Sequence, residues 1–425
     1  MKLSMFNNII NLQEGKTVIY NSLSGGVLRL DEEHFTHFTN YSKDPQYILP
    51  DKLEEALKQG HIILHDHVNE KAMLRYYELL SSNNLNTLSL TIAPTMACNF
   101  RCPYCYEKGK SYTTMSDETL TVLIKYINDQ IKTGDIKTLA IAWYGGEPLL
   151  RFDLIKKIRY GLELGEVELK QIIVTNGYLL TETIAKELAD MGVERAQITL
   201  DGPPEIHNKS RLYPDGRDTF TPIIENIQKA CEYVPINIRV NVDKNTLYHA
   251  DELLDYLDKY ELQGKVNLYL APIDNFHDSS CNSSVCYNRQ EFSKEQLDFT
   301  KRNIYRGYFG LKFGGFSPTV CGATNMNSFV IDPNGDMFKC WEEISDVDSK
   351  VGNIFKGLLY NEAFEKWLDY NYLTDEECSD CTILPICKGG CPKRVVDSGI
   401  HLCNTSKYDL VEQIELANKL KPVSV

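Results

Sequence analysis

Between residues 87 and 275 the chain switches between strand-like and helix-like signals six times, and this alternation limits the fold more than any other feature. The strand candidates are LSLTIAP, TLAIAWY, QIIVTN, RAQITLD, NIRVNVD and KVNLYLAP. The clearest helix lies between the first two: Leu120, Leu123, Ile124, Ile127 and Ile131 repeat at helical spacing behind Ser116-Asp117-Glu118, a helix start signal. Repeated β–α units imply parallel strands joined by right-handed crossovers. Six units are too few to close an eight-stranded barrel, so a partial, open barrel is predicted. Ligands of such folds gather at the C-terminal strand ends.

The flanks read differently. Residues 1–80 form a module of their own, in which KTVIYN and GVLRL flank SLSGG as a hairpin. LPDKLEEALKQG is a short helix with Pro50 near its start and Gly60 at its end, and HIIL adds a strand. NEKAMLRYYELL is a helix capped by Asn69, with Ala72, Met73, Tyr76, Leu79 and Leu80 on one face. That order is winged-helix-like. SSNNLN (81–86) is a linker, and the barrel region runs over 87–315. Its end holds a polar insertion, DNFHDSSCNSSVCYNRQ, and a helix around KEQLDFTKRNIYRGYFG. From 316 to 425 the alternation stops and cysteines dominate, until a last helix at YDLVEQIELANKL.

Forty-five basic against fifty-nine acidic side chains give a net charge of −14, and no Lys/Arg run offers a nucleic-acid or membrane patch. The first residues lack the apolar region of a signal peptide, and no stretch approaches the roughly 18 apolar residues of a membrane span. A cytoplasmic protein is expected. Thirteen cysteines are many for a reducing compartment, and ten of them fall into two short-spaced sets, which favours metal or iron–sulfur ligation over disulfides. Cys231, in a helical stretch, reads as an inert buried thiol, and Cys281 and Cys286 could be the same.

The first set is Cys98-x3-Cys102-x2-Cys105, directly after the first barrel strand. Structural zinc takes four ligands, usually in CxxC pairs, whereas this loop supplies three. Three thiolates can hold three irons of a 4Fe–4S cube and leave the fourth open. CxxxCxxC with Tyr104 before its third cysteine resembles the signature of radical S-adenosylmethionine enzymes. The resemblance implies that the cofactor's amino and carboxylate groups chelate the open iron. It also implies that an electron from the cluster releases a 5′-deoxyadenosyl radical. GGEP, Gly145, Gly146, Glu147 and Pro148, follows the second strand, where the family has a motif for the methionine amino group. Asn176 in TNG, Thr199 in TLDG, Arg211 ending IHNKSR (with Arg217 close by) and Asn241 on strand five match further cofactor contacts, and Tyr104 is placed beside the adenine.

The second set is Cys321-x13-Gly335-x4-Cys340, then Cys378-x2-Cys381-x5-Cys387-x3-Cys391, then Cys403. Order and spacing resemble the SPASM domain appended to some radical enzymes, which holds two auxiliary 4Fe–4S clusters. Carried over by position, Cys321, Cys340 and Cys391 ligate the first, and Cys378, Cys381, Cys387 and Cys403 the second. The first therefore has an open iron unless Cys281 or Cys286 reaches it, and a substrate thiolate suits that place.

The resemblance thus implies an α/β chain with a partial (β/α)6 radical-SAM barrel, an N-terminal winged-helix-like peptide-recognition module and a C-terminal cysteine-rich SPASM domain. Its cofactors are S-adenosylmethionine and three 4Fe–4S clusters. Its partners are a precursor peptide, whose leader adds to the edge of the N-terminal sheet, and a reduced flavodoxin or ferredoxin. Relatives of this kind mature ribosomally made peptides. Three reactions compete: a Cys thioether cross-link, a carbon–carbon cross-link, and formylglycine-type sulfatase maturation. The last is disfavoured because Trp341, and not an Asp, follows Cys340. Glu342 and Glu343 are the base candidates. An iron–sulfur electron carrier or a zinc scaffold are the non-enzymatic alternatives, and neither explains CxxxCxxC paired with GGEP.

Overall fold

The computed structural model describes residues 1–12, 16–107, 112–273, 284–311, 315–318 and 321–420. The chain opens with strands β1 (Lys2–Leu3), β2 (Asn7–Asn11), β3 (Thr17–Asn21) and β4 (Val27–Leu30). Helices α1 (Glu32–Lys43) and α2 (Asp51–Gln59), strand β5 (Ile63–Leu64) and helix α3 (Glu70–Ser82) follow. The expected hairpin is β3–β4, with Tyr20 opposite Val27, and β2 joins it on the other side.

Two features of this module depart from the sequence reading. Helix α1, EEHFTHFTNYSK, was not foreseen, because Thr, His and Asn are poor helix formers. Asp31 stabilises it by accepting from the His34 amide, and Phe38 and Tyr41 are buried. In α3 the buried residues are Leu74, Glu70 and Glu78, while Tyr76, Leu79 and Leu80 face solvent. The expected apolar face is turned outward because Glu70 is held inside, accepting from the Met5 amide at 2.8 Å and from the Ser4 hydroxyl.

The barrel strands are β6 (Thr87–Ile92), β7 (Thr138–Trp143), β8 (Glu168–Thr175), β9 (Val193–Thr199), β10 (Ile236–Val242) and β11 (Val266–Pro272). They lie side by side in chain order, each pair parallel, as the β–α alternation predicts. The crossovers are α4 (Asp117–Thr133), α5 (Phe152–Gly161), α6 (Glu182–Asp190), α7 (Pro204–Ser210), α8 (Phe220–Ala230) and α9 (Ala250–Lys259). Ser116 caps α4 through the Thr119 amide, and Leu120, Leu123 and Ile127 are buried. Alternate strand residues such as Leu88, Leu90, Ile236 and Ile238 join the same core.

Helix α10 (Arg289–Asn303) follows the barrel. Then β12 (Ser328–Ile331) pairs in parallel with β6, and β13 (Asp336–Phe338), β14 (Gly352–Asn353) and β15 (Gly357–Leu358) extend the sheet antiparallel, to ten strands. The cysteine-rich segment is thus continuous with the barrel sheet across the expected boundary at residue 316. Helices α11 (Glu362–Leu368), α12 (Glu376–Ser379), α13 (Leu384–Cys387), α14 (Pro392–Ser398) and α15 (Ser406–Leu420) complete it. Among the described residues no helix is long and apolar enough to cross a membrane.

Candidate active site

The three-cysteine loop leaves the C-terminal end of β6 and is pinned at its base. The Met96 amide donates to the Thr113 carbonyl at 2.8 Å, and the Thr95 and Thr114 hydroxyls pair at 2.8 Å. Two glycines from the end of β7 pack against the same stretch. A Cβ on Gly145 would lie 2.4 Å from the Thr95 carbonyl oxygen, and one on Gly146 would lie 2.4 Å from the Ala97 oxygen. The Glu147 amide donates to that Ala97 oxygen at 2.9 Å. These glycines therefore let β7 approach the backbone of the cysteine loop itself.

Glu147 and Pro148 differ from expectation. Glu147 is fully buried, and its carboxylate accepts from the Leu149 and Asn176 amides and the Thr175 hydroxyl at 2.7–2.9 Å. It ties β7 to the end of β8 and does not line the cavity, and neither does Pro148, which starts the next helical turn.

Across the loop lies a network that joins the ends of β6, β9 and β10. The Arg211 guanidinium donates to the Tyr104 hydroxyl at 2.9 Å, the Asn241 side chain donates to it at 3.3 Å, and Tyr104 donates to Asp201. Asp201 also accepts from the Asn241 amide and the Ser210 hydroxyl. Burial drives the Tyr104 hydroxyl well above its ordinary range. Burial works against the Arg211 charge, but Tyr104, Cys102 and Asp201 more than offset it and hold the guanidinium firmly protonated. Arg217 is exposed and pairs with Asp215, so of the two arginines near IHNKSR it is Arg211 that faces the site. Asp201 was not singled out from the sequence, although it lies within the TLDG motif.

One cavity of about 620 Å³ is lined by Cys98, Cys102, Tyr104 and Cys105, by Gly145 and Gly146, and by Asn176, Thr199, Arg211 and Asn241. The same cavity reaches Cys321, Lys339, Cys340, Trp341 and Glu342. Tyr144 bridges the two ends: its hydroxyl bonds that of Tyr106, and its ring lies 4.7 Å from the ring of Trp341. Glu342 pairs with Arg394 at 2.8 Å. Glu343 points elsewhere, into a buried cluster with Lys366 and Lys393 at 2.7 and 3.3 Å.

Electrostatic neighbours sort the remaining cysteines into two groups. Cys321 interacts with Cys340 and with Cys391. Cys378 interacts with Cys387 and Cys403, and Cys387 interacts with Cys381. His401 approaches Cys378, with Nδ1 3.5 Å from its sulfur, and pairs with Asp375 at 3.0 Å. Cys286 is disulfide-bonded and so offers no thiolate, while Cys281 lies outside the described residues. Cys231 is half-buried at the end of α8.

The donor set suits iron–sulfur clusters and S-adenosylmethionine. Burial pushes the thiols up, Cys98 to about 12, Cys102 to about 11, and Cys340 and Cys378 to about 12. Thiolates in such places need a strong local positive charge, which an iron centre supplies. Arg211 Nε is buried in the same wall with no partner among the described residues, a donor suited to a carboxylate.

Three comparisons agree with this geometry. The radical SAM superfamily model matches residues 92–268. The chain is 26% identical over 388 residues to the cysteine-type anaerobic sulfatase-maturating enzyme of Clostridium perfringens, spanning 79% of this chain and 99% of the relative. It is 22% identical over 440 residues to the radical SAM cyclopropyl synthase TigE of Paramaledivibacter caminithermalis, spanning 92% of this chain and 89% of that one. The solved structure of native anSMEcpe with bound AdoMet and Cp18Cys peptide matches with a TM-score of 0.62 at 25% identity, over 79% of this chain and 100% of its own.

Proposed function

Because residues 92–268 match the radical SAM superfamily model, we propose that this chain is a radical S-adenosylmethionine enzyme that matures a ribosomally made peptide by installing Cys thioether cross-links. The observation that carries this reading is the single cavity whose walls include both Cys98, Cys102 and Cys105 and, at its other end, Cys321, Cys340 and Glu342. When bound, the cluster at the first three thiols and its cofactor supply a 5′-deoxyadenosyl radical that takes a hydrogen atom from a substrate C–H bond.

The chain's own residues orient and shield. Arg211, held by Tyr104, offers Nε to the cofactor carboxylate. Asn176, Thr199 and Asn241 present polar groups to the rest of the cofactor. Cys321, Cys340 and Cys391 would hold the first auxiliary cluster, whose soft-ligand chemistry would suit a substrate thiolate. Cys378, Cys381, Cys387 and Cys403 hold the second. Carbon–sulfur bond formation removes a hydrogen atom, a proton and an electron from the peptide. Glu342, at the cavity wall, takes the proton, and an auxiliary cluster, once bound, would supply the acceptor for the electron. The leader adds to the β4 edge of the N-terminal sheet, and a reduced flavodoxin or ferredoxin supplies electrons.

A carbon–carbon cross-link is the second reading, favoured by the likeness to TigE, whose name states a cyclopropyl product. Formylglycine formation is favoured by the likeness to the sulfatase-maturating enzyme, but here Trp341 follows Cys340. Anaerobic reconstitution tests the reading. About twelve irons per chain are expected from three clusters, with 5′-deoxyadenosine formed from S-adenosylmethionine under reduction. The Cys98→Ala, Cys102→Ala, Cys105→Ala variant should abolish that product and keep auxiliary absorbance. Near-stoichiometric zinc would instead end the radical assignment. Mass spectrometry of a co-expressed precursor separates the chemistries, since its Cys→Ser form loses a thioether and retains a carbon–carbon bond.

A further inference from the structure

The interior face of this barrel is polar where closed barrels carry branched apolar side chains. Strand alternation buries Ile236, Ile238 and Val240 against the helices and turns Asn237, Arg239 and Asn241 to the other face. The register then sets Gln197 of β9, Asn237 of β10 and Asn267 of β11 side by side, a rung of three carboxamides across the open side. Gln197 accepts from the Tyr269 hydroxyl at 2.8 Å. Asn237, Asn267 and Gln296 of α10 line one cavity of about 750 Å³, and their side chains have no hydrogen-bond partner among the described residues.

This cavity has a neighbour. It shares Leu270, Gln296, Asn404 and Thr405 with a second cavity of about 490 Å³. The second shares Arg239 and Pro272 with the 620 Å³ cavity of the candidate active site. The three adjoining cavities lie in a row, a corridor in outline, along β10 and β11, the edge strand of the sheet, and the middle one is lined by Cys387, Cys391 and Cys403.

We propose that this corridor is a binding site for the backbone of an extended peptide, seated on the Asn237–Asn267 rung and Gln296, on its way to the reaction cavity. A carboxamide offers a donor and an acceptor in one plane, the same pair that a peptide group presents, so the rung reads main chain without regard to side chains. A polyanion is a poor fit, since Arg195 in the first cavity is offset by Glu194 and Asp409 and the chain carries a net charge of −14. A small apolar ligand would leave these amides unsatisfied. The inference rests on the peptide-maturase reading and deepens it.

The test uses reconstituted holoenzyme with S-adenosylmethionine and a fluorescent synthetic peptide of glycine, alanine and serine around one cysteine, about twelve residues long. Its twin is N-methylated at alternate residues of one flank. Wild type should bind the parent about tenfold more tightly than the twin, and Asn237→Leu/Asn267→Leu should bind both equally weakly. Gln296→Leu repeats the test from the opposite wall, and thermal unfolding checks that each variant is folded. Substrate-free 5′-deoxyadenosine formation, measured in the same preparations, should not change. A variant that retains wild-type affinity and discrimination overturns the proposal, as does a wild type that fails to bind the parent at millimolar concentration or to separate the twins. Because the readout is equilibrium binding, its failure is distinct from a failure of radical chemistry, which the deoxyadenosine assay reports.

Discussion

At the residue scale, adjacent carboxylates sit in opposite surroundings. Glu342 borders the cavity and keeps part of its surface exposed beside Arg394, whereas Glu343 is 1% exposed beneath Lys366 and Lys393. Glu342→Gln should cut cross-linked product by about 100-fold or more, the usual cost of a lost general base, while cofactor cleavage continues. Glu343→Gln weakens two hydrogen bonds at a buried site while Asp397 keeps both lysines paired, and it should lower stability by about 1–2 kcal/mol with little direct effect on chemistry. Product yield and urea midpoints for the pair give the check, and equal yields would remove Glu342 from its role. The sequence could nominate both residues but not separate them, because the lysines that capture Glu343 lie 23 and 50 positions away. The cysteines were legible for the opposite reason: their spacing is local. Asp201 and Tyr144 were missed, since the partners that give them meaning, Tyr104 and Trp341, are remote in the chain.

At the scale of elements, the β12–β13 hairpin carries Cys340 into the site and turns on DPNGD. Gly335 has φ of +79°, and a Cβ there would stand 2.7 Å from Ile354 Cγ1, so the glycine between the cysteines of this set serves the turn and its packing. Asp332 accepts from the Asn334 and Asp336 amides at 2.9 Å, but burial outweighs these bonds and pushes its carboxyl up to about 6. A folded value above the unfolded one of about 3.9 means that the native state binds the extra proton. Its contribution is therefore complete below about pH 4 and lost as pH rises through about 6. Asp332→Asn, which keeps the acceptor and drops the charge, should gain roughly 2–3 kcal/mol at pH 7 and almost nothing at pH 4. Urea midpoints at the two pH values decide this, and a gain that is equal at both would place the cause outside ionisation. Elements of this kind were readable where pattern and packing agree, as in α4 behind Ser116. They were misread in α3, whose buried side is set by Glu70 reaching Ser4 and Met5, a tertiary contact with no trace in periodicity.

For the molecule as a whole, the N-terminal module is a clasp as much as an appendage. Ile10, Val18 and Tyr20 share a core with Ile383, Leu410 and Ile414, against which Cys381 and Cys387 pack. Phe6, Leu23 and Leu74 share another with Tyr372 and Leu384, beside Cys378 and Cys381. Thr382 donates to Asn8 at 2.7 Å, and Lys71 pairs with Asp380. Three of the four thiols proposed for the second auxiliary cluster therefore rest on surfaces that residues 1–80 complete. The barrel site has no such dependence, since Cys98, Cys102 and Arg211 are set by β6–β10 and their loops. Deleting residues 1–80 should weaken binding of a leader-bearing peptide, and it should also release the second cluster. Anaerobic iron content is then expected to fall from about twelve to about eight, with uncoupled 5′-deoxyadenosine formation preserved. Iron that stays near twelve would mean that the C-terminal segment holds its cluster unaided. The loss of peptide binding could then be assigned to leader recognition alone, since the shared cores would be shown not to matter for the cysteines they cover.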